Sequence, residues 1–329
     1  MPLRIGILGA GHMGRTHAEI LRRDDRVRIV GVADPDTDRA ARLAGDLHVP
    51  HHADLEALFR AGLDLLVVTT PNRFHFDASL AAFSRGVGVL SEKPMAINLD
   101  DARRLCEAAE RPGTFYVVAH NRRHAPVYGR VRGLLREGFR PLLASFKMHE
   151  GDYRTPPWVS DRSVSGGFLY ENLVHFFDLM EWLVAPISEV FCLARGPLYP
   201  DLNDFVISIA FEGGAIGALT ATGHASWLRP AERTELVGDH ATIVVEELDR
   251  VLHSPGGGAK VGIDDFAHLA REERWGYLAQ DREIVEAFLA GRAPCFSARR
   301  ALRSLEIADA CARAALEARA VRLGPPPSD

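Results

Sequence analysis

Across residues 1–120, short apolar runs alternate with stretches in which apolar positions recur every three or four residues. The runs fall at residues 4–8, 27–33, 49–51, 64–70, 87–90 and 115–119, and the amphipathic stretches at 12–23, 38–46, 55–60, 74–84 and 100–110. Residues 64–70 carry the continuous apolar run Leu65-Leu-Val-Val68, the pattern of a parallel strand covered on both faces. Strands separated by single helices predict a doubly wound parallel sheet that takes its ligands at the carboxyl ends of the strands.

Beyond Arg123 the pattern changes. A helix (126–137) and a strand (142–149) lead into a loop rich in Pro, Gly and Ser (151–167), then a helix over 168–184. Strands follow at 189–194, 204–211, 215–223, 233–237 and 242–247, with turns at Gly213-Gly214 and Gly238-Asp239. Neighbouring strands of this kind imply a largely antiparallel open sheet. Two helices, 277–290 and 298–317, and a Pro-rich tail close the chain. The expected fold is therefore α/β: a Rossmann domain over 1–122 that binds a nucleotide, then an α+β domain over 123–329 for substrate binding and assembly. One sheet face, with Phe205, Ile207 and Ile209 against Ile216, Ala218 and Thr220, is expected to stay uncovered and to meet another copy.

Composition narrows the class. With 329 residues, 47% hydrophobic and 25% charged, the chain is long enough for two globular domains. A net charge of −5 argues against a nucleic-acid or acidic-membrane partner. The N-terminus enters the first strand without a signal-peptide pattern, and no run reaches the ~20 apolar residues needed to span a bilayer, so the expected location is cytoplasmic. Cys106, Cys192, Cys295 and Cys311 are scattered without CxxC pairing, which favours buried free thiols over disulfides or zinc.

The first strand runs into Gly9-Ala-Gly-His-Met-Gly14, the GxGxxG spacing. In a nucleotide-binding turn Gly9 permits a tight turn, Gly11 lets backbone approach a pyrophosphate, and Gly14 lets helix and strand pack closely; three glycines after an apolar strand also read as an ordinary turn. His12 and Met13 open the helix whose N–H groups point at that pyrophosphate. Asp34 ends the second strand about 20 residues further on, where a carboxylate accepts hydrogen bonds from an adenosine ribose. The same residue also reads as a helix cap before Pro35. Asp34 repels a 2′-phosphate, and Pro35 and Asp36 supply no Arg to receive one, so NAD is favoured over NADP; the first downstream Arg is Arg39. Thr70-Pro-Asn72, Glu92-Lys93 and Asn121-Arg122 also lie at predicted strand ends, and Lys93 falls where a nicotinamide would lie, able to contact a substrate oxygen; a surface lysine in a turn is the competing reading, and spacing alone does not choose between them.

In the helix over 168–184, Leu169, Leu173, Phe176, Met180 and Leu183 form one apolar stripe, and Glu171, His175 and Asp178 lie nearly opposite. Val174, Phe177 and Trp182 flank the polar stripe, so the acid and the histidine are expected to be partly buried and to need each other or a ligand. A carboxylate beside an imidazole raises its basicity and fixes its tautomer, which suits a proton acceptor. A satisfied structural pair and a metal site are the competing readings; no third metal ligand is indicated.

Taken together, the Gly9–Gly14 motif with His17-Ala18, then Glu92-Lys93-Pro94, Asn121-Arg122-Arg123, and Gly166-Gly167 leading to Glu171 and His175-x-x-Asp178, resemble the Gfo/Idh/MocA family of sugar and cyclitol oxidoreductases. The resemblance spans nearly the whole chain, including Ser304-Leu-Glu-Ile-Ala-Asp309. It implies hydride transfer between NAD and a sugar or inositol-like polyol, with Lys93 and His175 as the catalytic pair and Arg122 and Glu171 beside the substrate. Thr70, Asn72, His75, Glu92 and Asn121 are implied to line the cofactor, and a homodimer or homotetramer is implied. The family usually has Asp where this chain has Glu171, so the longer side chain must fold back or reach a different substrate atom. A ketosugar or sugar-nucleotide reductase, and a nucleotide-binding sensor or structural protein without turnover, are the alternatives.

Overall fold

The computed structural model describes residues 1–226, 231–256, 260–294 and 296–326. The chain divides into two units, Met1–Asn121 with Tyr277–Leu302, and Arg122–Gly276 with Arg303–Asp329. The first segment ends beside the sequence boundary, but Tyr277–Leu302 returns to the first unit, a step that no local pattern announces.

The first unit holds a six-stranded parallel sheet built from β1 (Leu3–Leu8), β2 (Val27–Ala33), β3 (His51–His52), β4 (Leu65–Val68), β5 (Gly88–Ser91) and β6 (Tyr116–Val118), in the order β3-β2-β1-β4-β5-β6. Every position of β4 and β5 is buried, as their apolar composition requires in a sheet covered on both faces. Each large side chain so buried contributes about 1.5–3 kcal/mol. Asp36, Asp54 and Asn98 begin the helices Thr37–Leu47, Leu55–Arg60 and Leu99–Ala109 by accepting a hydrogen bond from a backbone N–H of the first turn. The helix Tyr277–Leu289 packs on the helix His12–Leu21, and its Phe288 meets Phe115 edge-on at 5.0 Å. The strand order reverses between β1 and β4, which opens a crevice at their carboxyl ends.

The second unit is built on nine strands: β7 (Leu143–His149), β8 (Ile187–Arg195), β9 (Asp204–Phe211), β10 (Ile216–Thr222), β11 (Glu232–Val237), β12 (Thr242–Glu246), β13 (Arg250–Ser254), β14 (Gly262–Asp265) and β15 (Val321–Arg322). Their order is β14-β13-β12-β11-β7-β10-β9-β8-β15, antiparallel throughout except for β7 beside β10. One face packs on the helical segment through contacts such as Phe168 stacked on Phe205 and Phe146 edge-on to Phe176.

The face expected to be open needs correction. Register places Ile207 opposite Leu219 and Val206 opposite Thr220, so Phe205, Ile207 and Ile209 lie on the inner face and are buried. The exposed face carries Ile216, Ala218 and Thr220 with Val206 and Ser208; Val206 is 50% and Ile216 57% exposed, whereas Ile207 is 0% exposed. The sequence reading joined residues from opposite faces, because a period of two makes any one-residue offset change the face. Cys106, Cys192 and Cys311 are buried free thiols, and Cys295 lies outside the described residues. No described helix is long and apolar enough to cross a membrane.

Candidate functional site

At the switch point of the first unit the glycine turn takes the form its spacing predicts. Gly9 sits at φ 100°, and a Cβ there would lie 2.6 Å from the Thr69 carbonyl oxygen at the end of β4. A Cβ on Gly14 would lie 1.9 Å from the Gly9 carbonyl oxygen, so helix and turn close on each other only with glycine. A Cβ on Gly11 would meet nothing within 4 Å, which leaves its backbone open to a ligand. The helix His12–Leu21 has no side-chain cap and no acid in its first turn, so its leading N–H groups and positive dipole end suit a pyrophosphate. Exposed His12 and half-buried Met13 occupy that first turn.

Asp34 is buried at the end of β2. Its Oδ2 accepts from the Ala10 N–H at 2.8 Å and its Oδ1 from the Asp36 N–H at 2.8 Å. Asp36, not Asp34, caps the following helix. Each carboxylate oxygen has a second lone pair, so Asp34 ties the glycine turn to β2 and can still accept from a ribose hydroxyl. Arg39 lies 3.8 Å from Asp34 and 3.0 Å from Asp36, held by both acids. Two unit charges about 4 Å apart at an effective dielectric near 20 interact by about 4 kcal/mol, which sets the scale of the repulsion toward a 2′-phosphate. Asp34→Ala is expected to narrow the preference for NAD over NADP by roughly tenfold or more, read by fluorescence titration with the two reduced nucleotides; an unchanged ratio would remove Asp34 from cofactor selection.

Beyond β4, Thr70 Oγ1 is buried with no hydrogen-bond partner among the described residues. An orphaned hydroxyl at this strand end fits a bound nucleotide. Asn72 and Asn121, after β4 and β6, are also buried. His75 places both ring nitrogens 2.8 Å from backbone carbonyls, those of Pro94 and Thr70, and so ties the loops after β4 and β5 together. The loop after β5 carries buried Glu92 and half-buried Lys93, whose N–H donates to Glu92 Oε2 at 3.2 Å.

Beneath this loop lies an arrangement that the sequence reading did not find. His17 is fully buried, with Nδ1 2.8 Å from Asp281 Oδ2 and Nε2 3.1 Å from Glu92 Oε1. Burial is the largest influence on the imidazole and favours its neutral form. The charges and hydrogen bonds of Asp281 and Glu92 together outweigh it, and the pKa is raised from 6.5 to about 10. Burial likewise pushes Glu92 upward, but the hydrogen bond and charge of His17, with Lys93 and His75, hold it below its ordinary 4.5.

In the second unit, Gly166 and Gly167 at φ 86° and 88° end the short helix Arg162–Ser165. The φ of Gly167 is one that other residues rarely adopt, and a Cβ there would also displace the Asp201 carboxylate, so glycine is favoured. Leu169–Leu173 then forms a π turn that continues into the helix Val174–Leu183. The wider turn displaces Glu171 from the α-helical phase assumed in the sequence reading, and such turns recur at functional sites. His175 and Asp178 are buried, and Glu171 is half-buried. Asp178 accepts from Arg123 at 2.7 and 2.5 Å, so the third member of the polar stripe belongs to an ion pair. Arg122, read as a substrate contact, is buried and donates through Nε to Glu232 Oε2 at 3.1 Å and through its terminal nitrogen to Oε1. Tyr153 is buried beside this segment; burial pushes its phenol up, and Ser165 and Glu171 act on it.

The glycine turn, the strand-end carboxylate and the strand order define a dinucleotide-binding Rossmann domain. A family model described as "Oxidoreductase family, NAD-binding Rossmann fold" matches residues 3–120, and one described as "Oxidoreductase family, C-terminal alpha/beta domain" matches residues 143–323. The chain belongs to the Gfo/Idh/MocA oxidoreductase family, and its first unit is the NAD-binding domain. It is 30% identical over 180 residues to the rhizopine catabolism protein MocA of Rhizobium meliloti, a match that spans 55% of this chain and only 56% of that protein. It is 24% identical to scyllo-inositol 2-dehydrogenase (NAD(+)) of Bacillus subtilis, over 93% of this chain and 92% of the relative. Among solved structures, GenD2 from gentamicin A biosynthesis in complex with NAD superposes with a TM-score of 0.86 at 25% identity, over 98% of this chain and 97% of that one.

Proposed function

We propose that the protein is an NAD-dependent dehydrogenase acting on a secondary alcohol carbon of a sugar or inositol-like polyol. The observation that carries this reading is the set of strand-end residues in the first unit: the glycine turn, Asp34 and Thr70 at the switch point, with Glu92-Lys93 one strand further on. The inositol dehydrogenases among the relatives support the substrate class. NAD, when bound, supplies the hydride acceptor, and the chain supplies binding, orientation and proton handling. Gly9, Gly11, His12, Met13 and Gly14 hold the pyrophosphate, Asp34 the ribose, and Thr70, Asn72, His75, Glu92 and Asn121 line the remainder. Lys93 holds the reacting oxygen and favours its charged form. His175 takes or returns the hydroxyl proton, and Glu171 orients His175. Arg122 acts on the substrate only from within its pair with Glu232. The test is absorbance at the NADH band with a panel of inositols, aldoses, ketoses and uronic acids; NADH binding without turnover on any of them favours a sensor.

The exposed face of the second sheet supports assembly with a second copy, as homodimer or homotetramer. Leu143, Leu193, Val206 and Ile216 are exposed apolar side chains on the strands β7 to β10. An apolar face of this kind is an interface in most soluble proteins that carry one. Light scattering at micromolar concentration is expected to show a dimer or larger, and Val206→Glu to shift it toward monomer. A monomeric parent protein would contradict this.

A further inference from the structure

The cluster of Asp281, His17 and Glu92 is poorly explained as a source of stability. Three ionisable side chains lie out of water in one contact chain, with His17 and Asp281 at 0% side-chain exposure and Glu92 at 11%. Buried ionic groups of this kind are often replaceable by apolar residues without loss of stability, and in some proteins they fix position instead. What this cluster positions is legible from its ends. Asp281 comes from the helix Tyr277–Leu289, 264 residues away from His17 in sequence, and Glu92 immediately precedes Lys93.

We propose that His17 is a positioning residue that clamps Glu92, holding its carboxylate fixed as an acceptor for the nucleotide and, through it, the backbone of Lys93. This deepens the cofactor reading above and rests on it. Glu92 Oε1 receives His17 Nε2, and Glu92 Oε2 receives the Lys93 N–H. Each oxygen keeps one further lone pair, which suits a hydroxyl or amide donor of the nucleotide. The other nitrogen of His17 is occupied by Asp281, which also accepts from Gln280 Nε2 at 3.3 Å, so the ring cannot turn away. Tyr277 packs edge-on to the imidazole at 6.3 Å. The charged groups acting on Glu92 are His17, Lys93 and His75. Without the imidazolium, burial acts on Glu92 with less opposition and favours its neutral form.

NADH fluorescence titration of the full chain tests this without requiring turnover. Affinity is expected to be nearly flat for the parent protein from about pH 5 to about pH 8, the range in which a buried carboxylate deprived of its cation titrates. His17→Gln is expected to bind roughly tenfold more weakly at the acid end and to recover as pH rises and Glu92 ionises. Asp281→Asn keeps the bond from His17 to Glu92 and is expected to show a smaller shift of the same sign; it serves if His17→Gln does not fold. Either folded variant with parent affinity at every pH overturns the clamp, even if its melting temperature falls, since a purely structural role predicts that result. Binding of NADH by the parent without turnover on any polyol would instead sink the dehydrogenase reading and leave the clamp standing.

Discussion

Replacing His175 or Lys93 with alanine is expected to lower turnover by roughly 10²–10⁴-fold, the usual worth of general acid–base catalysis, while NADH affinity changes little. The separation follows from the placement of the nucleotide-binding groups. The glycine turn, Asp34 and Thr70 sit at the ends of β1, β2 and β4 and do not depend on either side chain. On the proposed roles, the double variant is expected to be only slightly worse than either single one, as for residues that act together in one step. Glu171→Asp refines the assignment. If Glu171 orients His175, the shorter carboxylate retains part of the activity; if it touches substrate, the preferred sugar changes more than the rate. Stopped assays corrected for the folded fraction check these outcomes. Lower melting temperature with unchanged turnover per folded molecule would remove His175 and Lys93 from the chemistry.

His17→Gln is expected to flatten the alkaline fall in stability of the parent protein. The folded state holds a proton on His17 up to about pH 10, whereas the unfolded chain releases it near 6.5. This contribution is therefore fully present below about pH 6.5 and is lost as pH rises through about 10. At about 1.4 kcal/mol per pKa unit, the whole span is on the order of 5 kcal/mol at most; this is the pH-dependent part alone, and the cost of burying the three groups offsets it, so the cluster adds little net stability. Cys106 and Cys192 are pushed up to about 11 and about 12 by burial, so they add a similar slope only above their ordinary value of 9.0. Urea denaturation between about pH 6.5 and 9 therefore isolates His17. Parallel curves for parent and variant across that window would show that His17 carries no additional proton in the folded state.

Local patterns carried much of the fold. The apolar runs marked β1, β2, β4, β5 and β6 because both faces of a parallel sheet are covered, whereas β3, His51–His52, is a polar edge strand; the glycine spacing marked the turn because Gly9 and Gly14 each answer a distinct steric demand. Asp34 was legible as a strand-end carboxylate, although its bonds to Ala10 and Asp36 were not. What failed depends on geometry that a local period cannot encode. The strands β13 and β14, Arg250–Ser254 and Gly262–Asp265, are short and half polar, and they extend the sheet through tertiary pairing. The π turn at Leu169–Leu173 breaks the 3.6-residue period on which the polar stripe was read. The partners of Arg122, Arg123 and His17 are 110, 55 and 264 residues away, beyond the reach of any spacing rule. His17 left two traces, its place after the glycine motif in the family resemblance and a histidine on the buried side of an amphipathic helix.

The most direct measurement of the central reading is isotope transfer. The protein, NAD and inositols or sugars deuterated at their carbinol carbons are incubated together, and the nucleotide is analysed by mass spectrometry. The account predicts that at least one polyol delivers deuterium to the reduced nicotinamide, and that His175→Ala and Lys93→Ala suppress the transfer while still binding NADH. Saturable NADH binding with no deuterium transferred from any polyol of the panel would contradict it.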